Sequence, residues 1–131
     1  MTATWTSDEL LQLGAATELQ ITSRRHDGSL RPFVTIWTVR AADDMYVRSA
    51  YGIGNPWFRH ATASGTGRIR VPGLERDVTF TPASELDAST LKAVDAAYHA
   101  KYDRYGEQIV GTVAGPKAAS VTLRLDPEQA S

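Results

Sequence analysis

Apolar and polar positions alternate with period two from Met45 to Ser49. Met45, Val47 and Ser49 fall on one side and Tyr46 and Arg48 on the other, as in a strand with one packed face. The pattern stops at Tyr51-Gly52-Ile53-Gly54, where the glycines permit positive φ and close approach to the main chain. Asn55 is a good N-cap and Pro56 suits a first helical turn, so a helix is predicted to start at Pro56. Strand, glycine loop and helix N-terminus together make a candidate anion cradle, to which Arg48 and Arg59 would add charge.

The same reading extends along the chain. Thr6 and Glu9 stand at capping-box spacing and open a helix that ends near Gly14. Leu19, Ile21 and Ser23 alternate with Gln20 and Thr22, and Asp27-Gly28 signals a hairpin turn. Residues 33 to 40, FVTIWTVR, carry β-branched and aromatic residues on both faces, which predicts one strand covered on both sides, central in a barrel or at a dimer interface. A strand from Gly67 to Val71, a Pro72-Gly73 turn and a strand with Val78 and Phe80 facing inward come next. The longest helix starts at Asp87 or Ser89 and runs to about Tyr105, with Leu91, Val94, Tyr98, Tyr102 and Tyr105 on one face. Residues 107 to 119 carry no clear pattern; Val121, Leu123 and Leu125 form a last strand. About six strands, mostly hairpin-linked, with about three inserted helices predict an antiparallel α+β barrel rather than a doubly wound sheet.

Composition narrows the function. The 131 residues suit one domain, read as 1–131. Fourteen Lys and Arg against fifteen Asp and Glu give a net charge of −1, which offers no global attraction to nucleic acid or to an anionic membrane. Absence of cysteine removes disulfides, thiolate metal sites and cysteine nucleophiles. With no signal-like N-terminus and no long apolar run, a cytoplasmic location is the expectation.

Side-chain chemistry is sparse. His26, His60 and His99 have no partners at metal-ligand spacing, so no metal is expected. Neither Ser23 nor Ser49 lies in a nucleophile elbow. The helix segment AYHAKYDRYG offers Tyr98, Lys101 and Tyr102 as substrate-contact candidates, with core-facing tyrosines as the plain alternative. The glycine loop carries Trp57 where a dinucleotide fingerprint requires its last glycine, which disfavours a Rossmann domain.

The segments WTSDELLQLGAATELQI, YVRSAYGIGNPWFR, GRIRVPGLERDVTF and AAYHAKYDRYG resemble the bacterial domain of unknown function numbered twenty-two fifty-five, over nearly the whole chain. That family is similar to the flavin-reductase-like split β-barrels, and its central segment to that of the deazaflavin-dependent nitroreductases. The resemblance implies a six-stranded split barrel, a homodimer and a phosphate-holding segment in which Ser49, Gly52, Asn55-Pro56 and Trp57-Phe58 match the relatives' strand-end serine, loop glycine, helix start and Trp-aromatic pair. The relatives often have Lys where this chain has Ala50, so Arg48, Arg59 or the backbone must replace that charge. It further implies an oxidoreductase using an 8-hydroxy-5-deazaflavin coenzyme, or alternatively FMN, on a small organic substrate, with Trp37 and Trp57 as a water-poor wall. Two alternatives share the fold: a non-redox small-ligand binding protein, and a cofactor-free enzyme using Tyr98, Lys101 or His60 for proton transfer.

Overall fold

A computed structural model describes residues 4–50 and 54–128. Its elements run α1 (Ser7–Ala15), β1 (Leu19–Ser23), β2 (Val34–Ile36), β3 (Thr38–Ala41), β4 (Asp44–Arg48), α2 (Pro56–Ser64), β5 (Thr66–Val71), β6 (Leu74–Pro82), α3 (Ala88–Tyr102), α4 (Glu107–Val110), α5 (Pro116–Ala119) and β7 (Thr122–Pro127). All strand pairs are antiparallel, in the order β2-β1-β5-β6-β7-β4-β3. The sheet curls into a nearly closed barrel of α+β type, with β2 and β3, adjacent in the chain, at its two edges.

Seven strands replace the expected six because 33–40 is not one covered strand. The chain passes from β2, paired with β1, through Trp37 to β3, paired with β4, bridging the gap between the sheet edges. Val34 and Thr35 are exposed. Their mixed apolar pattern records a change of partner rather than cover on both faces. The patternless 107–119 segment holds the one-turn helices α4 and α5.

Two apolar clusters divide the interior. Inside the barrel, Leu19, Ile21, Met45, Val47, Ile69, Val78, Leu123 and Leu125 pack with Leu10 and Leu13 of α1 and Phe58 and Ala61 of α2. Outside it, Val39 and Tyr46 pack under Val94, Tyr98 and Tyr102 of α3 and Val110 and Val113 beyond it. The period-two alternation of β4 therefore sends Met45 and Val47 into the barrel and Tyr46 and Arg48 toward α3.

Side-chain caps hold α1 and α3 as the sequence predicts, but not α2. Thr6 and Glu9 form a reciprocal capping box on α1, and the Asp87 side chain accepts from Thr90 N–H at the start of α3. α2 starts at Pro56 after extended Asn55, whose side chain makes no capping bond, and ends at Gly65 in the left-handed region with φ 75°.

Candidate functional site

Three adjoining depressions run across the face between β1, β2 and α2. The first, about 390 Å³, is walled by Trp37, Trp57, Ile36, Ala50 and Asn55, with Val113 behind. The second, about 240 Å³, is apolar, lying between Ile21, Pro32, Pro56, Trp57 and Ala61. The third, about 460 Å³, is basic, lined by Arg24, Arg25, His26, Arg31 and His60 with no carboxylate among the lining residues described. Trp57 and Val34 border the first and second, and Arg31 and His60 border the second and third. The shared lining residues place the three side by side, Trp37 and Trp57 with Glu18 lining the first and basic residues the third, each within the size range of small-molecule sites.

The aromatic end is rigid. Trp37 stacks on Tyr102 with ring centroids 3.9 Å apart and planes within 4°, and Tyr105 leans on it at 5.3 Å. Tyr102 is itself pinned, its hydroxyl donating to Thr17 O at 2.6 Å and accepting from Thr38 N–H at 3.2 Å. Trp57 meets Phe58 edge-on at 5.9 Å. The Trp37 ring is thereby held as a wall and cannot fold into the groove.

The cationic end is built by the turn after β1. Asp27 accepts from Ser29 N–H at 2.9 Å and from Ser29 Oγ at 2.6 Å, Gly28 adopts φ 88°, and Arg24 bridges to Leu30. Arg24 is fixed by Asp77 at 2.9 Å, and Arg25 donates to Leu30 O at 2.9 Å. Arg31 differs, because its Nε is buried with no hydrogen-bond partner. A buried charged donor without a partner carries a desolvation cost.

Sequence reasoning missed this cluster. Its signal was RRHDGSLR, four basic residues around one Asp-Gly turn, read for its turn and not for its charge.

The sequence-predicted residues are only partly brought together. Trp37, Asn55, Trp57 and Ala50 share the aromatic groove, and Pro56 borders the apolar middle. Gly52 lies outside the described residues. Ser49 is buried at 1% exposure with its N–H bonded to Val121 O, and it borders none of the three depressions. Arg59 is exposed on α2 and lines none of them either.

Arg48 touches the aromatic groove, but its guanidinium has a different occupation from the expected phosphate contact. Its side chain is fully buried and donates to Thr122 Oγ1 at 2.9 Å, Asp95 Oδ1 at 3.0 Å, Val113 O at 2.9 Å and Leu91 O at 3.1 Å. Asp95 also accepts from Gly115 N–H at 2.6 Å. Arg48 is thus a clasp joining β4 to β7, α3 and the segment behind the groove; as placed, its charge serves the fold.

The α3 candidates also change role. Tyr98 and Tyr102 are fully buried, and burial raises both phenols, Tyr102 to about 12. Neither can meet a substrate in this arrangement; α3 turns its tyrosine face into the outer cluster. Lys101 opens instead onto a separate groove between α1, β3 and α3. Among the described residues, no group of three or more His, Cys, Asp or Glu is placed to hold a metal, and no helix is long and apolar enough to cross a membrane.

Comparison with solved structures establishes the architecture. The heme storage protein HutZ from Vibrio cholerae aligns at 14% identity over 95% of this chain and 91% of that chain, with a TM-score of 0.61. An FAD-binding protein from Mesorhizobium loti aligns at 19% identity over 98% of this chain and 94% of that chain, with a TM-score of 0.55. At such identities the likeness is one of fold. No curated protein matches the chain by sequence. A family profile spans residues 9–125, nearly the whole barrel with the three depressions, and the chain belongs to that bacterial family, described as uncharacterized protein conserved in bacteria (DUF2255).

Proposed function

We propose that this protein binds a planar aromatic cofactor with an anionic tail, an 8-hydroxy-5-deazaflavin coenzyme or alternatively FMN, and serves as an oxidoreductase for a small organic substrate. The observation that carries this reading is the adjacency of the three depressions, which share lining residues from the Trp37–Trp57 walls through an apolar middle to a cluster of Arg24, Arg25, His26 and Arg31. A ring system suits the first part and a phosphate the last. Arg31, whose Nε is buried and unpartnered, lines both the apolar middle and the basic end. Likeness of fold to an FAD-binding protein and to a heme storage protein supports the reading.

When bound, such a cofactor supplies hydride transfer. The chain's own residues bind and orient. Trp37, held by Tyr102, and Trp57 exclude water from the ring; Asn55 offers an amide at the groove wall; the basic turn neutralises the tail. The charge expected of Arg48, or of a lysine in place of Ala50, is supplied in this reading from the basic depression. A homodimer, with the groove shared between subunits, remains part of the proposal.

Ala50 also favours a second reading, a non-redox carrier of the same class of ligand, because it leaves the aromatic groove without the lysine seen in the relatives. Titration with the oxidised deazaflavin coenzyme and with FMN, followed by tryptophan fluorescence, tests both. Saturable quenching by one of them supports cofactor binding, and subsequent hydride transfer to an acceptor separates oxidoreductase from carrier. Absence of quenching by either refutes both readings.

A further inference from the structure

A second groove, of about 450 Å³, lies on another face, between α1, β3 and α3. Its walls are Leu10, Leu11, Gly14 and Ala15 of α1, Val39 of β3, and Ala97 and Ala100 of α3. Lys101 lines it, half-buried, with Nζ donating to Thr38 O at 2.7 Å. No carboxylate is among the lining residues described. The other charged side chain there is Arg40, which is turned to Ala42 O at 2.8 Å and to Asp43 at 3.7 Å. The Tyr102 ring lies 5.2 Å from Nζ, and Glu18, Tyr105 and Arg104 act on that tyrosine.

A half-buried lysine beside an apolar groove, with no carboxylate among the described lining residues, is able to act as a nucleophile once neutral. We propose that Lys101 is a covalent site for apolar aldehydes, which enter the α1–β3–α3 groove and form an imine on Nζ. The Nζ lone pair adds to the carbonyl carbon, a proton passes from nitrogen to oxygen, and water leaves as the C=N bond forms; no oxidant or reductant is consumed. Leu11, with Ala97 and Ala100, would hold the alkyl chain. Desolvation favours the reactive neutral amine, lowering Lys101 from 10.5 to about 8, whereas the Thr38 carbonyl and the Tyr102 ring favour the cation. This site is separate from the three depressions and does not depend on any cofactor.

The chain has three lysines, Lys92, Lys101 and Lys117, so selectivity is directly readable. The test is incubation of the full chain with hexanal and sodium cyanoborohydride, which traps the imine as a secondary amine, followed by peptide mapping over time. Lys101 should be labelled faster than the exposed Lys92 and Lys117, at a rate that saturates with hexanal. Leu11 is 64% exposed, so Leu11→Glu should fold normally; it should raise the half-saturating concentration at Lys101 and leave the other lysines unchanged. Labelling of Lys101 no faster than the others, or a rate linear in hexanal, would overturn the assignment.

Discussion

Arg48 and Asp95 are joined at 3.0 Å across the space between β4 and α3, the arginine side chain fully buried and the aspartate one-third exposed. The pair fastens the segment behind the aromatic groove, because Arg48 also holds Val113 O and Asp95 holds Gly115 N–H. Arg48→Ala should cost about 3 kcal/mol or more in chemical denaturation, since it strands several buried acceptors. Asp95→Asn should cost less, about 1 to 2 kcal/mol, because solvent reaches the carboxylate. An Arg48→Ala variant of unchanged stability would show that the clasp is not structural.

Arg31 behaves oppositely. Its guanidinium carries a buried Nε without a partner, so Arg31→Ala should leave stability within about 0.5 kcal/mol and weaken binding of a phosphorylated cofactor by about 1.5 to 3 kcal/mol. Denaturation and ligand titration on one preparation separate the two effects.

The contrast between these arginines shows what the sequence could and could not disclose. The alternation of β4 already puts Arg48 with Tyr46 and opposite Met45; what lay over that face depended on α3 docking from forty residues away. The caps of α1 and α3, the turns and the inward faces of β6 and β7 were legible because each depends on neighbours within a few positions. The change of partner at Trp37 was not, since β2 and β3 pair with strands on opposite edges of the sheet. The basic depression lay in plain view in RRHDGSLR, yet its meaning required α2 to bring His60 against Arg31.

Tyr98 is fully buried, and its hydroxyl makes no hydrogen bond of ordinary geometry, although the Arg48 main chain lies near enough to act on it. Tyr98→Phe should therefore be neutral or stabilising by up to about 1 kcal/mol, and should leave cofactor binding unchanged. A loss of more than about 1 kcal/mol in thermal or chemical unfolding would reveal a bond to that hydroxyl.

Gly67 faces β1 so closely that an added Cβ would lie 2.0 Å from Thr22 O and 3.0 Å from Ser23 Cα. Both neighbours are backbone in a paired strand, and Phe80 Cζ at 2.9 Å closes the other side. Gly67→Ala should cost about 3 kcal/mol or more, seen as a fall in midpoint denaturant concentration or as insoluble expression. Normal stability in that variant would show that β1 and β5 can separate here.

Stability should vary with pH at both ends. Asp77 is held below the ordinary aspartate value of 3.8, chiefly by its hydrogen bond from Arg68, against burial and with help from Arg24. For Asp95 burial pushes upward, but the Gly115 amide and Arg48 outweigh it. Both contributions are complete above pH 3.8 and are lost as pH falls through the depressed folded values. Lys101 has the reverse effect: between about pH 8 and 10.5 the unfolded chain binds more protons, so stability should rise with pH there. Denaturation midpoints at pH 8 and 10 should differ in the wild type and converge in Lys101→Met; an unchanged difference would show that Lys101 titrates normally.

One ligand is proposed to lie along the three depressions, its ring at the Trp37–Trp57 end and its phosphate at Arg31. The most direct test compares each phosphorylated cofactor with its phosphate-free counterpart, FMN with riboflavin and the deazaflavin coenzyme with its riboflavin-level form, on wild type and Arg31→Ala. One pair should bind, its phosphorylated member at least about tenfold tighter, and Arg31→Ala should remove this advantage while leaving the phosphate-free affinity unchanged. Equal affinities within both pairs, or an advantage that survives Arg31→Ala, would contradict it.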